Sequence, residues 1–219
     1  MKELAPADVH WLGMRLFVGI PLADAVTREL SDLVARLGSK DDGLRWTAPE
    51  SWHITLQFLG NATTEQFECL KARLSDVCIA PVPVQLSELG CFDRAGVFFA
   101  DVEVTPEMSA LQQRVVAATS RCRLQVEARP FHPHITLARK TGQKRTRDQG
   151  TRKAGRHARA EKMGLEKIGL DRSLKKLVAG AGRPGFTPFT AREFVLYESH
   201  LGEGGSKYAA QMRVALDGT

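Results

Sequence analysis

The tetrapeptide His53-Ile54-Thr55-Leu56 recurs 81 residues later as His134-Ile135-Thr136-Leu137. In a β-strand successive side chains point to opposite faces, so each His shares a face with its Thr while Ile and Leu point into the core. A chain that carries such a segment twice has to supply two strands of this kind. Where the two strands face one another, they gather two imidazoles and two hydroxyls around one volume of phosphate size.

The sequence around the repeats predicts the scaffold. Arg15–Ile20 reads as a strand stopped by Pro21. Val26, Leu30, Leu33, Val34 and Leu37 fall at helical spacing before Gly38. After an extended stretch around Trp46, the first repeat predicts a strand from His53 to Leu59, closed by Gly60-Asn61. Thr63 or Thr64 can cap a second helix with the stripe Phe67, Leu70, Leu74, Val77 and Cys78. Val82–Leu89 and Gly96–Val104 read as strands, and Thr105-Pro106 opens a helix that buries Met108, Leu111, Val115 and Ala118. His134–Ala138 is the second repeat's strand. A short helix begins near Asp171 with Leu174, Leu177 and Val178 inward, and Phe194–Tyr197 and Tyr208–Leu216 close the chain as strands. The expected architecture is α+β over residues 1–219 as one domain: two pseudo-symmetric lobes, antiparallel sheets lining a central cleft, helices outside.

Charge is unevenly spread. Arg139–Arg159 holds nine Lys/Arg and one acid, a net of +8, while the remaining 22 basic and 24 acidic residues sum to −2. With few large apolar residues there, about 140–162 is expected to be a basic, flexible surface insertion, and any electrostatic attraction to RNA rests on it. No apolar run is long enough for a signal peptide or a membrane span, which predicts a cytoplasmic protein without membrane contact; a monomer is expected. Cys69, Cys78, Cys91 and Cys122 lack C-x-x-C spacing, and in a reducing compartment they read as small core residues, with neither disulfide nor zinc expected.

The repeated residues suit one kind of chemistry. Opening a cyclic phosphate diester with water requires one group to take a proton from the nucleophile and another to give one to the departing ribose oxygen. Imidazole, titrating at about 6.5, does either near neutrality. Threonine hydroxyls held on a strand donate to the non-bridging phosphoryl oxygens. No metal or cofactor is required.

In these motifs the chain resembles the two-histidine phosphoesterase superfamily, and within it the RNA 2',3'-cyclic phosphodiesterase group, also known as 2'-5' RNA ligases. The resemblance rests on Arg15-Leu16-Phe17-Val18-Gly19-Ile20-Pro21, Arg45-Trp46, Trp52–Gly60 and Phe131–Arg139. It continues through Leu196-Tyr197-Glu198-Ser199 and Gly205-Ser206-Lys207-Tyr208. It implies a two-lobed fold with the motifs on facing strands, His53 as proton donor to the leaving 3' oxygen and His134 as the acceptor that activates water. Thr55 and Thr136 would hold the phosphate, and Arg139 would add a charge-assisted contact. RNA ends or cyclic nucleotides would be the substrates, yielding a 2'-phosphate, with reverse 2'-5' ligation as a side activity. The basic insertion is longer than the family pattern carries.

Competing readings stay open. The site could act on a 2'-5' oligonucleotide or a cyclic-phosphate metabolite, or the chain could be a non-catalytic RNA-binding module, although a pure binder needs no acid–base pair. A histidine beside apolar residues is often only structural; two in matched contexts argue against that. His132 forms His132-x-His134-x-Thr136, with Thr136 where a histidine triad would need its third His, and reads as a supporting residue. A metal site from His132, His134 and a distant carboxylate finds no ligand-spacing motif. His10, His157 and His200 have no repeated partner. Phe17 and Trp46 could stack on a base but read as core.

Overall fold

The structure is a computed structural model that describes residues 13–38, 43–124, 129–141, 174–202 and 205–218. The basic insertion beyond Thr141, His10 and His157 lie outside these residues, as does the start of the short helix near Asp171.

The elements follow the hydrophobic periods of the sequence. β1 (Met14–Pro21) leads into α1 (Asp24–Leu37), which buries Val26, Leu30 and Leu33. β2 (Leu44–Trp46) and a 3-10 turn, Pro49–Ser51, precede β3 (His53–Ala62). Of the two candidate caps it is Thr63 that starts α2 (Thr64–Ser75): its hydroxyl accepts from Gln66 N–H while the Gln66 side chain accepts from Thr63 N–H. α2 stops at Ser75, so Cys78 falls beyond it and is exposed. β4 (Val82–Val84), β5 (Leu86–Phe92) and β6 (Val97–Val102) precede α3 (Pro106–Ser120), capped by Thr105, whose hydroxyl accepts from Met108 N–H at 3.1 Å. β7 (His134–Lys140) is the second motif strand. A helix described over 174–181, then β8 (Phe189–Ala191), β9 (Glu193–Gly202) and β10 (Gly205–Ala215), complete the chain.

Two four-stranded antiparallel sheets result, ordered β10-β9-β1-β3 and β2-β7-β6-β5, with a separate β4-β8 pair. One buried cluster joins them, holding Ile54 and Leu56 of the first motif and Ile135 and Leu137 of the second. None of the described helices is long and apolar enough to cross a membrane.

Two expectations are corrected. The stretch Val82–Leu89 is two strands in different sheets: β4 pairs with β8 and β5 with β6. The break falls at Gln85, whose side-chain amide donates to the Leu86 and Phe186 carbonyls, and apolar alternation alone cannot locate it. Cys69 and Cys122 form a disulfide across 53 residues, against the expectation of none. The reason is tertiary: α2 and the end of α3 pack side by side and bring the two Cα atoms to 5.7 Å, which Cys spacing does not encode.

Both motif strands are interrupted at the same place. Against β1, Gly19 pairs with Thr55 and Val18 with Gln57, leaving Leu56 as an extra residue. Against β6, Phe99 pairs with Thr136 and Phe98 with Ala138, leaving Leu137 extra. These are β-bulges, and each reverses the alternation that follows it. Leu56 and Gln57 are both buried, as are Leu137 and Ala138, so that Phe58 and Arg139 emerge on the side of the motif His and Thr.

A bulge leaves carbonyls outside the ladder, and here Thr47 serves them. Its N–H donates to the Leu137 carbonyl at 2.9 Å. Its hydroxyl lies 2.7 Å from the Thr136 carbonyl and 2.9 Å from that of Leu137, and accepts from the Trp52 indole N–H at 2.8 Å. The residue before the first motif is thereby tied to the bulge of the second. Replacing Thr47 by Val keeps the shape and removes the hydroxyl, leaving Trp52 N–H and a bulge carbonyl short of a partner. We expect a loss of ~1–3 kcal/mol in urea unfolding followed by Trp fluorescence, with Thr47→Ser retaining most of it. A Thr47→Val loss inside the ~0.5 kcal/mol scatter of ordinary surface substitutions would contradict this role.

Candidate active site

The two motif histidines are held alike. His53 Nδ1 lies 2.8 Å from the Ser51 carbonyl, and His134 Nδ1 lies 2.8 Å from the His132 carbonyl, each two residues upstream. A carbonyl only accepts, so in both rings Nδ1 carries the hydrogen and the neutral ring keeps its lone pair on Nε2.

Aromatic rings fix the imidazole planes. Phe17 lies 4.6 Å from His53 between ring centres, Tyr208 stands edge-on at 5.0 Å, and Tyr197 is at 5.9 Å. Around His134, Phe92 stands edge-on at 5.0 Å and Phe99 lies at 5.2 Å. Glycine opens the space on each side. Gly19 faces Thr55 on the adjacent strand, and a Cβ there would come within 3.3 Å of His53 Cδ2. Gly90 faces Phe99, whose ring would meet a Cβ at 2.6 Å. A glycine inside a strand is the sequence signal for such a close approach.

Burial sets the charge state. Removal from water pushes the His53 pKa down to about 4; the Ser51 carbonyl opposes this, and the charges of His134 and Arg139 add to it. His134 is lowered for the same leading reason, with the His132 carbonyl and the Asp101 carboxylate opposing and the charges of His132 and Arg139 adding. Both imidazoles are thus neutral at pH 7 in the free protein. His53 thus feels the charges of both His134 and Arg139.

Thr55 and Thr136 are half-buried on the same faces as their histidines, and Arg139 Nη2 reaches Thr136 Oγ1 at 3.5 Å. His132, read as a supporting residue, donates from Nε2 to Asp101 Oδ1 at 2.9 Å, while Asp101 sits opposite His134 in the β6–β7 ladder. That bond orients the ring beside His134, with 5.9 Å between the two ring centres. Among the described residues no group of three or more His, Cys, Asp and Glu is placed to hold a metal ion. His200 lies 3.5 Å from Glu198. Trp46 packs edge-on against Phe98.

Sequence reasoning missed four side chains that shape this region. Phe17, which reads as core in the sequence, is buried, and its ring forms a wall of the His53 site. Tyr197 and Tyr208 complete that wall. Phe58 is 43% exposed and lies on the face of His53 and Thr55, since it pairs with Phe17 and its ring centre is 6.2 Å from that of Phe17. Strict alternation would have buried Phe58 and Arg139; only the bulge brings them out.

Comparison with known proteins fits this arrangement. The chain is 27% identical over 133 residues to an RNA 2',3'-cyclic phosphodiesterase of Bacillus subtilis, 57% of this chain and 70% of that one. A solved phosphoesterase superimposes with a TM-score of 0.70 at 22% identity, covering 94% of this chain and 99% of that one. Escherichia coli LigT in complex with 3'-AMP superimposes with a TM-score of 0.68 at 23% identity, covering 93% and 98%. The model of the 2'-5' RNA ligase superfamily matches residues 21–170, more than half of the chain, and the protein therefore belongs to the 2'-5' RNA ligase superfamily.

Proposed function

We propose that the protein hydrolyses the 2',3'-cyclic phosphate at RNA ends to a 2'-phosphomonoester by paired histidine acid–base catalysis, in a central cleft between two pseudo-symmetric lobes. The observation that carries this reading is the matched pair of imidazoles, each with Nδ1–H bound to a carbonyl and Nε2 left to exchange a proton. Neighbouring hydroxyls and a guanidinium supply the phosphate site. The similarity to curated RNA 2',3'-cyclic phosphodiesterases supports the substrate class.

In the reaction, His134 Nε2 takes a proton from water as the water oxygen bonds to phosphorus. The bond from phosphorus to O3' breaks, and His53 Nε2–H delivers its proton to O3'. The pair ends with its proton on the other ring, and exchange with solvent restores the starting state. Thr55, Thr136 and Arg139 hold the non-bridging oxygens, where negative charge concentrates in the transition state. A 5'-hydroxyl end in place of water would give a 2'-5' linkage by the same steps. Phe58 offers its exposed face to the terminal base. It lies on the strand of His53, which supports His53 as the partner of the ribose oxygen.

Such a pair works only when one ring is protonated, whereas burial and Arg139 keep both neutral in the free protein. The phosphate resolves this: it pairs with Arg139, cancelling a charge that lowers both imidazoles, and adds a negative charge of its own. Binding therefore takes up a proton.

Product analysis tests the reaction. Incubated with a 2',3'-cyclic-phosphate-ended oligonucleotide and a chelator, the protein should yield the 2'-phosphate; a 3'-phosphate would overturn the assignment of the leaving oxygen, and activity lost to the chelator and restored by a metal would overturn the mechanism. His53→Ala and His134→Ala should each lower turnover by roughly 10²–10⁴-fold while the protein stays folded. Thr55→Ala and Thr136→Ala should cost less.

The pH dependence has a definite sign. Since both imidazole pKa values are depressed below 6.5, the singly protonated pair becomes more abundant as pH falls from 7 toward the value of about 4 for His53. kcat/KM should therefore pass through a bell with its maximum on the acid side of 6.5. The kcat maximum should lie at higher pH, because bound phosphate raises both imidazoles. A kcat/KM that climbs steadily through pH 7 to 9 would exclude a protonated imidazole from the free enzyme's working state. Phe58→Ala should weaken binding of a 2'-nucleotide by ~1–3 kcal/mol, and leave ribose 2'-phosphate, which has no base, unaffected.

A further inference from the structure

Arg45 stands outside the constellation described so far, yet the sheet places it beside that constellation. On β2 it is the cross-strand partner of Arg139 on β7, so the two side chains share one face. That is the face on which Arg139 reaches Thr136. From the other sheet the β9–β10 hairpin comes over to meet Arg45: a Cβ built on Gly205 would lie 3.4 Å from Arg45 Nη1 and 3.5 Å from its Cζ. The guanidinium thus lies between the strand that carries His134 and the hairpin whose Tyr197 and Tyr208 pack on His53.

Two like charges directly opposite on adjacent strands disfavour the fold. Among the described residues no carboxylate forms an ion pair with Arg45, and its side chain is exposed. Arg45 thus presents an exposed cation beside the strand of His134, and an anionic ligand there would relieve its repulsion with Arg139. Charge counting gives the ligand's size. A 2',3'-cyclic phosphate carries a single negative charge, and Arg139 with one protonated imidazole already exceeds it. Arg45 is surplus for a mononucleotide and matched to a ligand with a second phosphate. In an RNA chain that second phosphate is the diester joining the terminal nucleotide to the one before it.

We propose that Arg45 forms a second phosphate subsite next to Arg139, which binds the internucleotide phosphate preceding the RNA terminus and makes the site select a chain end over a free nucleotide. The subsite rests on the reading of the main site as a nucleotide phosphate site. Gly205 lies against the guanidinium at one edge of that site, so the chain would leave past β2. Neither the repeated motif nor the family match assigns a role to this side chain.

The test measures binding by calorimetry with two products: a 2'-phosphate-ended dinucleotide and the corresponding 2'-mononucleotide. The quantity read is the ratio of their Kd values. The full-length wild-type protein should bind the dinucleotide more tightly by about tenfold or more, as expected for one added charge-assisted contact. Arg45→Gln should bring that ratio close to one and reduce the salt slope of dinucleotide binding by about 0.7. Arg45→Lys should recover part of the preference. A dinucleotide with a neutral methylphosphonate linkage should bind wild type no more tightly than the mononucleotide and gain no further loss from Arg45→Gln.

A wild-type ratio of one, or an Arg45→Gln effect equal on both ligands, overturns the subsite; the second result would put Arg45 on the terminal phosphate instead. Circular dichroism of the variant separates either result from misfolding, and Arg45→Lys, which keeps the charge, serves where the Gln variant does not fold. Hydrolysis of the cyclic forms is scored separately. Turnover without a preference refutes the subsite alone, whereas an Arg45-dependent preference without turnover refutes the catalytic reading and leaves the subsite standing.

Discussion

The contact on which the rest of the site depends is the hydroxyl of Thr47. It stands between the Trp52 indole, immediately before the first motif, and the Thr136 and Leu137 carbonyls in the bulge of the second. The two motif strands belong to different sheets and share no ladder. What relates them is packing of the Ile and Leu side chains in the common core, which has little directional preference, together with this short polar relay, which has a strong one. Proton exchange at a shared phosphate tolerates little misplacement. Thr47 thereby ties the bulge that follows the second His-x-Thr to the residue that precedes the first.

The site also shows how a fold sets a charge state chiefly by burial. Each imidazole is half-buried among aromatic rings, and loss of water disfavours its cation. A carbonyl hydrogen bond, joined at His134 by the Asp101 carboxylate, offsets only part of that loss, so both rings are neutral in the free protein. The glycines at 19 and 90 belong to the same design, since a Cβ at 90 would collide with the Phe99 ring and one at 19 would crowd the Ile54 carbonyl and the His53 ring.

Much of this was legible in the sequence, for identifiable reasons. The motif strands, the caps at Thr63 and Thr105-Pro106, and the buried faces of α1 and α3 follow from local periodicity and capping chemistry, which tertiary packing left unchanged. The bulges were not legible. They arise from the register of β3 against β1 and of β7 against β6, and registers are properties of pairs of strands. What depends on the registers was therefore hidden as well: Phe58 on the polar face and Arg45 standing opposite Arg139, whereas Arg139 itself was named only through the family resemblance and not through the strand pattern. The Cys69–Cys122 bond was hidden for the same kind of reason, because the adjacency of two helices is not written in either helix.

The two half-sites use one backbone device and then differ in side chains. After each His-x-Thr-Leu the bulge turns outward the residue five beyond the histidine: Phe58 in one strand and Arg139 in the other. The buried residue before it also differs. Gln57 is held by the Thr119 hydroxyl at 2.8 Å, where the second strand has Ala138. A symmetric pair of histidines has no reason to prefer either orientation of a cyclic phosphate, since each ring is equally able to give or take a proton. An exposed phenyl ring beside one and a guanidinium beside the other removes that degeneracy. A nucleotide is itself polar in this sense, with a flat base at one end and a charged phosphate at the other. Laid with its base on Phe58 and its non-bridging oxygens toward Arg139, it brings the ribose oxygens to His53 and leaves the far side of phosphorus, where water must enter, to His134. On this reading the division of labour between two identical motifs comes from the residues just beyond them, and exchanging Phe58 and Arg139 should disturb the orientation of the substrate more than the capacity of either imidazole to transfer a proton.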